Sequence, residues 1–133
     1  MNKKKAIVLG GSSGIGKAIV DSLDKTNFDI VNPTSNILDT SNIEQIKEFI
    51  EREKVTDLLV LNTGGPPAKD FFSISEDEWL QYYYQLFYGF VYLLQNIKVN
   101  DDGYIFLISS HTIKNPENKL ILSNTYRVAL TSV

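Results

Sequence analysis

Three glycines, Gly10, Gly14 and Gly16, with Ser12 and Ser13 between them, are the residues whose types and spacing most clearly imply chemistry. They follow a short apolar run at 6–9 and precede Ile15, Ala18, Ile19 and Leu23 at helical spacing. A glycine-rich turn between strand and helix lets backbone approach a pyrophosphate closely. It also aims unpaired helix N–H groups at the negative charge. The unit from Lys5 to Leu23 therefore predicts a dinucleotide site. The common fingerprint G-x-G-x-x-G fails, because Gly14-Ile15-Gly16 leads to Ile19 at its last position. The P-loop pattern fits at Gly11, Gly16 and Lys17 but has Ala18 where a hydroxyl should hold magnesium. The spacing G-x-x-x-G-x-G fits Gly10, Gly14 and Gly16.

Such a loop needs a sheet behind it, and the rest of the chain alternates strand and helix patterns, as a parallel sheet with helical crossovers does. After the first strand, residues 28–31 read as a second strand, ended by Asn32 and Pro33, and residues 36–39 as a brief third. Ser41 with Glu44 reads as a capping box opening a helix whose buried face is Ile43, Ile46, Phe49 and Ile50. Residues 57–61 form a fourth strand. A second capping box, Ser75 with Glu78, opens a long helix over about 76–97, with Trp79, Tyr83, Leu86, Phe90, Leu93 and Ile97 on its apolar face. Residues 104–108 form a fifth strand, and a last helix begins near Ser123. The expected fold is α/β: a three-layer, doubly wound, Rossmann-type parallel sheet of about five strands, in one partial domain over 1–133.

Composition narrows the function classes. With 13 basic and 16 acidic residues the net charge is −3, and the only basic run is Lys3-Lys4-Lys5. That argues against nucleic acid as a partner, since binding it needs clustered cations. There is no cysteine and one histidine, His111, so no thiol chemistry, disulfide or ordinary zinc site is expected, nor any metal. No apolar stretch is long enough to span a membrane, and a cytoplasmic location is the default.

The segment Leu9-Gly10-Gly11-Ser12-Ser13-Gly14-Ile15-Gly16 resembles the cofactor loop of the short-chain dehydrogenase/reductase family. Later stretches agree in order and spacing: Asp39-Thr40, Leu61-Asn62-Thr63-Gly64-Gly65, Asp77-Glu78-Trp79 and Ile108-Ser109-Ser110. The resemblance implies an oxidoreductase that transfers a hydride between a nicotinamide cofactor and a carbonyl or alcohol. It assigns Gly10, Ser12, Ser13, Gly14, Ile15, Gly16, Asp39, Asn62 and Gly64 to cofactor binding, with Asp39 toward the adenine. It makes Ser110 the serine that holds the substrate carbonyl. After the second strand come Thr34 and Ser35, with no acid for a ribose hydroxyl and no arginine for a 2′-phosphate. These hydroxyls lean toward NADP, with NAD open.

The family's Tyr-x-x-x-Lys pair is absent. Thirteen residues beyond Ser110 stands Ser123, and four further stands Arg127. This resembles a divergent, 3-oxoacyl-carrier-protein reductase-like branch with Ser-Asn-x-x-Arg at this place. Arg127 keeps the positive charge and is expected to hold the nicotinamide ribose, though its geometry differs from lysine's. A serine hydroxyl is a far weaker acid than a phenol, so the proton donor is expected to be Tyr126 or a water. His111, next to Ser110, offers an imidazole as a further candidate. The aromatic run Tyr82–Tyr88 predicts a helix covered on more than one side. The family resemblance makes it, with the C-terminal helix, a homo-oligomer contact. Family chains are usually longer, which leads to the expectation that the C-terminal part is missing. A catalytically impaired binding or assembly module is the alternative reading.

Overall fold

The computed structural model describes residues 2–133. Four strands form one parallel sheet: β1 (Lys4–Val8), β2 (Phe28–Val31), β3 (Val55–Leu61) and β4 (Lys98–Leu107), in the order β2-β1-β3-β4. The helices are α1 (Gly14–Ser22), α2 (Ile43–Glu53), α3 (Glu76–Tyr83), α4 (Gly89–Asn96) and α5 (Ile121–Leu130). A π-helical turn, Tyr84–Tyr88, joins α3 to α4, so 76–96 is one continuous helical segment.

Alternation along the strands builds the three layers. Ile7, Leu9, Leu59 and Leu61 face one side, where Ile46, Phe49, Phe90, Leu93 and Leu130 from α2, α4 and α5 cover them. Ala6, Val8, Leu58 and Val60 face the other, against Ile19, Val20 and Leu23 of α1 and the segment after it. Residues 6–8 of β1 and 58–61 of β3, buried on both faces, are apolar at every step, which is why these stretches read as unbroken runs. The edge strand β4 differs: Tyr104, Ile105, Phe106 and Leu107 are all substantially exposed.

Three expectations change in detail. Residues 36–39 are not a strand, so the sheet has four strands rather than five. The amides of Ile37 and Leu38 both donate to the Thr34 carbonyl at 2.9 Å, closing a turn that leaves no ladder donor. Leu38 is buried beneath it while Ile37 faces solvent. The cap of α2 is Asn42, whose side-chain oxygen accepts from the Glu44 and Gln45 amides. Ser41 instead donates its amide and hydroxyl to Asp39. The long helix carries the π turn, which no spacing rule anticipated.

The second capping box forms as expected. The Glu78 amide donates to Ser75 Oγ at 3.2 Å, and the Ser75 amide donates to Glu78 Oε2 at 2.9 Å. Lys69 Nζ donates to the same carboxylate at 2.7 Å. The Lys69 and Ser75 bonds lower the Glu78 pKa from its ordinary 4.5 to about 2. A depressed folded-state pKa stabilises the fold above the unfolded value, and the contribution fades as pH falls toward the folded one. Stability from Glu78 is therefore expected to be complete above pH 4.5 and lost between 4.5 and about 2. Urea denaturation across that window should lose part of its pH slope in Glu78→Gln.

Candidate functional site

The chain runs from β1 out to β2 on one side, then back across to β3 on the other. The carboxyl ends of β1 and β3 therefore diverge into a crevice, where doubly wound sheets bind ligands. The glycine loop fills the start of that crevice. Gly10 has φ +61°, in the left-handed region, and its carbonyl accepts Asn62 Nδ2 at 3.2 Å. A Cβ on Gly16 would lie 2.1 Å from the Gly10 carbonyl oxygen, so α1 can start this close to the loop only without a side chain there. Gly14 also has positive φ, +53°, but a Cβ on it would meet nothing within 4 Å.

The start of α1 is electrostatically bare. Ser13 is extended and its side chain makes no cap bond, and no acid lies in the first turn. The first helical bond runs from the Lys17 amide to the Ser13 carbonyl. The amides of Gly14, Ile15 and Gly16 precede it and have no intrahelical acceptor. Together with the helix dipole they make an anion-binding terminus.

A cleft of about 500 Å³ opens in front of this terminus. Gly10, Ser12, Ser13, Gly14 and Ile15 line one wall, and Ser35 and Asp39 lie beyond β2. Asn62 and Gly64 close the β3 side. Of the cofactor residues expected from sequence, nine thus share one cavity. Gly16 is buried behind the loop, and Thr34 and Arg127 are outside the lining. Asp39 is exposed, and its carboxylate is occupied by Ser41.

Gln85 completes the cleft and was missed by motif reading. Its Nε2 donates to the Gly64 carbonyl at 3.0 Å and to Thr63 Oγ1 at 3.3 Å. Its own carbonyl accepts Thr40 Oγ1 at 3.0 Å. The helix can approach Thr40 because Gly89 has no side chain: a Cβ there would lie 2.3 Å from the Thr40 carbonyl. In the sequence Gln85 is the one amide within the aromatic run 82–88.

The expected catalytic residues are more scattered. Ser110 caps a short 3₁₀ turn, His111–Ile113, and its Oγ accepts from the Thr112 amide and hydroxyl. It does not line the cleft. His111 is exposed and pairs with Glu117. The Tyr126 hydroxyl donates to the Trp79 carbonyl at 2.9 Å, with the ring edge-on to Trp79 and Tyr83. Burial raises its pKa above the ordinary value. In this structure the Tyr126 hydroxyl ties α5 to α3. Ser123 is buried, and its Oγ accepts Arg127 Nε at 3.0 Å. Arg127 also donates Nη1 to the Ile108 carbonyl at 3.4 Å, and burial lowers its pKa.

No protein-family model matches the chain. An uncharacterized oxidoreductase, YvaG of Bacillus subtilis (strain 168), is 26% identical over 144 residues, which cover 88% of this chain. The chain spans about half, 54%, of that curated relative's length. Solved structures superpose closely. A small-chain dehydrogenase in complex with NADPH matches with a TM-score of 0.88 and 20% identity, over 98% of this chain and 62% of that one. The L-sorbose reductase of Gluconobacter frateurii, complexed with NADPH and L-sorbose, matches with a TM-score of 0.85 and 21% identity, over 99% and 62%. At these identities the likeness shows the fold: the chain has the Rossmann-type fold of the short-chain dehydrogenases.

The two glycine environments make opposite demands. Gly16→Ala drives a Cβ into backbone and is expected to collapse the loop and lower Tm. Gly14→Ala meets open space and carries only the left-handed penalty of about 1–2 kcal/mol. Thermal melts with NADPH titrations of both variants check the order.

Proposed function

We propose that this chain binds NADPH along the cleft and serves hydride transfer between that cofactor and a carbonyl or alcohol substrate. The observation that carries the reading is the bare α1 terminus beyond Gly10, facing a cleft at the crossover between β1 and β3. The donors there suit a pyrophosphate: free amides at 14–16, the Ser12 and Ser13 hydroxyls, and no competing acid in the first turn. The NADPH complexes among the solved structures of the same fold support it. When bound, the nicotinamide supplies the hydride.

The chain's own residues hold and orient. Asn62 fixes the Gly10 carbonyl and so the loop. Gln85 fixes the Gly64 carbonyl on the opposite wall. Ser35 lines the cleft beyond β2 with no arginine or acid among the lining residues there other than Asp39, already engaged by Ser41. A hydroxyl at this position accommodates a 2′-phosphate, which favours NADP over NAD. Ser110 Oγ accepts two hydrogen bonds from Thr112 and keeps its own proton to offer a substrate oxygen. With Tyr126 committed to Trp79, water is the proton carrier in this reading. A homodimer through the 76–97 helix and α5 is part of the same proposal, supported by the exposure of Leu80 on α3 and Val128 on α5.

Titration of NADPH and NADH by nucleotide fluorescence tests the cofactor. NADPH is expected to bind tighter, and Ser35→Asp to weaken it by about tenfold through charge repulsion while sparing NADH. Equal, unsaturable signals for both nucleotides would end the reading. Substrate-dependent NADPH oxidation over a carbonyl panel tests turnover. For assembly, sedimentation equilibrium should give a dimer that Val128→Asp dissociates.

A further inference from the structure

Arg127 is the one half-buried cation among the described residues that lacks a carboxylate partner. Lys5 and Lys69, buried to a similar degree, pair with Glu53 and Glu78. Every other lysine and Arg52 is exposed. The acceptors that Arg127 does have, Ser123 Oγ and the Ile108 carbonyl, are neutral. Its Nη2 lies 3.6 Å from where a Cβ on Gly65 would stand, so a bare glycine is all that this position places against it. Gly65 directly follows Gly64 of the cleft wall. Next to Ile108, the Ser109 hydroxyl is buried without a hydrogen-bond partner.

A partly desolvated guanidinium satisfied only by neutral acceptors retains an unbalanced charge. Its planar fork matches a carboxylate with two parallel hydrogen bonds, more strongly than neutral pairs allow. The anion could be a cofactor phosphate or a group on the substrate. The α1 amides already mark the phosphate end of the cleft, and Arg127 is not among the residues lining it. We propose that Arg127, with the Ser109 hydroxyl, receives a carboxylate carried by the carbonyl substrate at the Gly65 end of the cleft. The substrates are then small oxo acids. The proposal rests on the oxidoreductase reading for the word substrate, but the anion site itself does not.

Acetoacetate and its uncharged ethyl ester are the probes, on the full 133-residue chain. The side-chain Nε–Hε resonance of Arg127 is the readout, with Arg52 as the only other arginine and an internal control. Acetoacetate is expected to shift the Arg127 signal saturably, at least about tenfold tighter than the ester, with or without NADPH. By acetoacetate-induced thermal shift, Arg127→Gln should lose this discrimination and Arg127→Lys keep part of it. NADPH affinity should move by less than about threefold in either variant, well short of one lost charged hydrogen bond. Equal binding of acid and ester by the unaltered chain overturns the proposal, even if both variants fail to fold. So does an Arg127→Gln defect confined to NADPH, which assigns the guanidinium to the cofactor. Discrimination without any NADPH binding leaves the carboxylate site standing and removes the cofactor reading. NADPH binding without discrimination does the reverse.

Discussion

The hydrogen bond from Asn62 Nδ2 to the Gly10 carbonyl joins the ends of β1 and β3 at the one place where the sheet has no ladder left to hold them. Beyond Leu9, whose amide still donates to the Val60 carbonyl, no ladder bond joins the two strands, and the cleft opens there. Without a crosslink, the glycine loop would have only its own backbone to define it, and glycine backbone is the least constrained there is. Asn62 and the close approach of Gly16 to Gly10 remove that freedom from both sides. The direction of the α1 amides follows from this contact.

A second fastening holds the opposite wall. The π turn at 84–88 interrupts the helix where the helix passes the cleft. Gln85 lies in that turn, with its carbonyl on Thr40 and its amide on Gly64 and Thr63. One residue thereby links the segment after β2, the loop after β3 and the long helix. π turns of this kind recur at functional sites, where they redirect a side chain that regular helix would place elsewhere. The neighbouring Gly89 permits the approach to Thr40, so the turn and the glycine act together.

On the α5 side, polar groups are shared among neighbours in ways that redistribute chemistry. Tyr126 donates to Trp79 and so belongs to the packing between α3 and α5. Ser123 and the Ile108 carbonyl hold Arg127 and leave its charge uncompensated. Ser123 and Arg127, one helical turn apart, are therefore themselves a hydrogen-bonded unit.

The sequence by itself determined the sheet and the loop. The doubly buried stretches 6–8 and 58–61 are apolar at every residue, α1 repeats its apolar positions at helical spacing, and a left-handed turn at Gly10 demands glycine. Each of these is a local rule that a few adjacent residues satisfy. The Ser75–Glu78 box was legible for the same reason, since both partners lie within one turn. The turn at 34–38 was not, because Asn36 to Asp39 has strand-like composition and only the Thr34 carbonyl, capturing two amides, withdraws it from the sheet. Tertiary structure alone decided where Tyr126 spends its proton, which acceptors Arg127 reaches and how Gln85 enters the cleft. Trp79, Ile108 and Gly64 lie 47, 19 and 21 residues from them along the chain, and only the second acceptor of Arg127, Ser123, is local. Contacts that distant depend on how layers stack, and no spacing rule encodes the stacking.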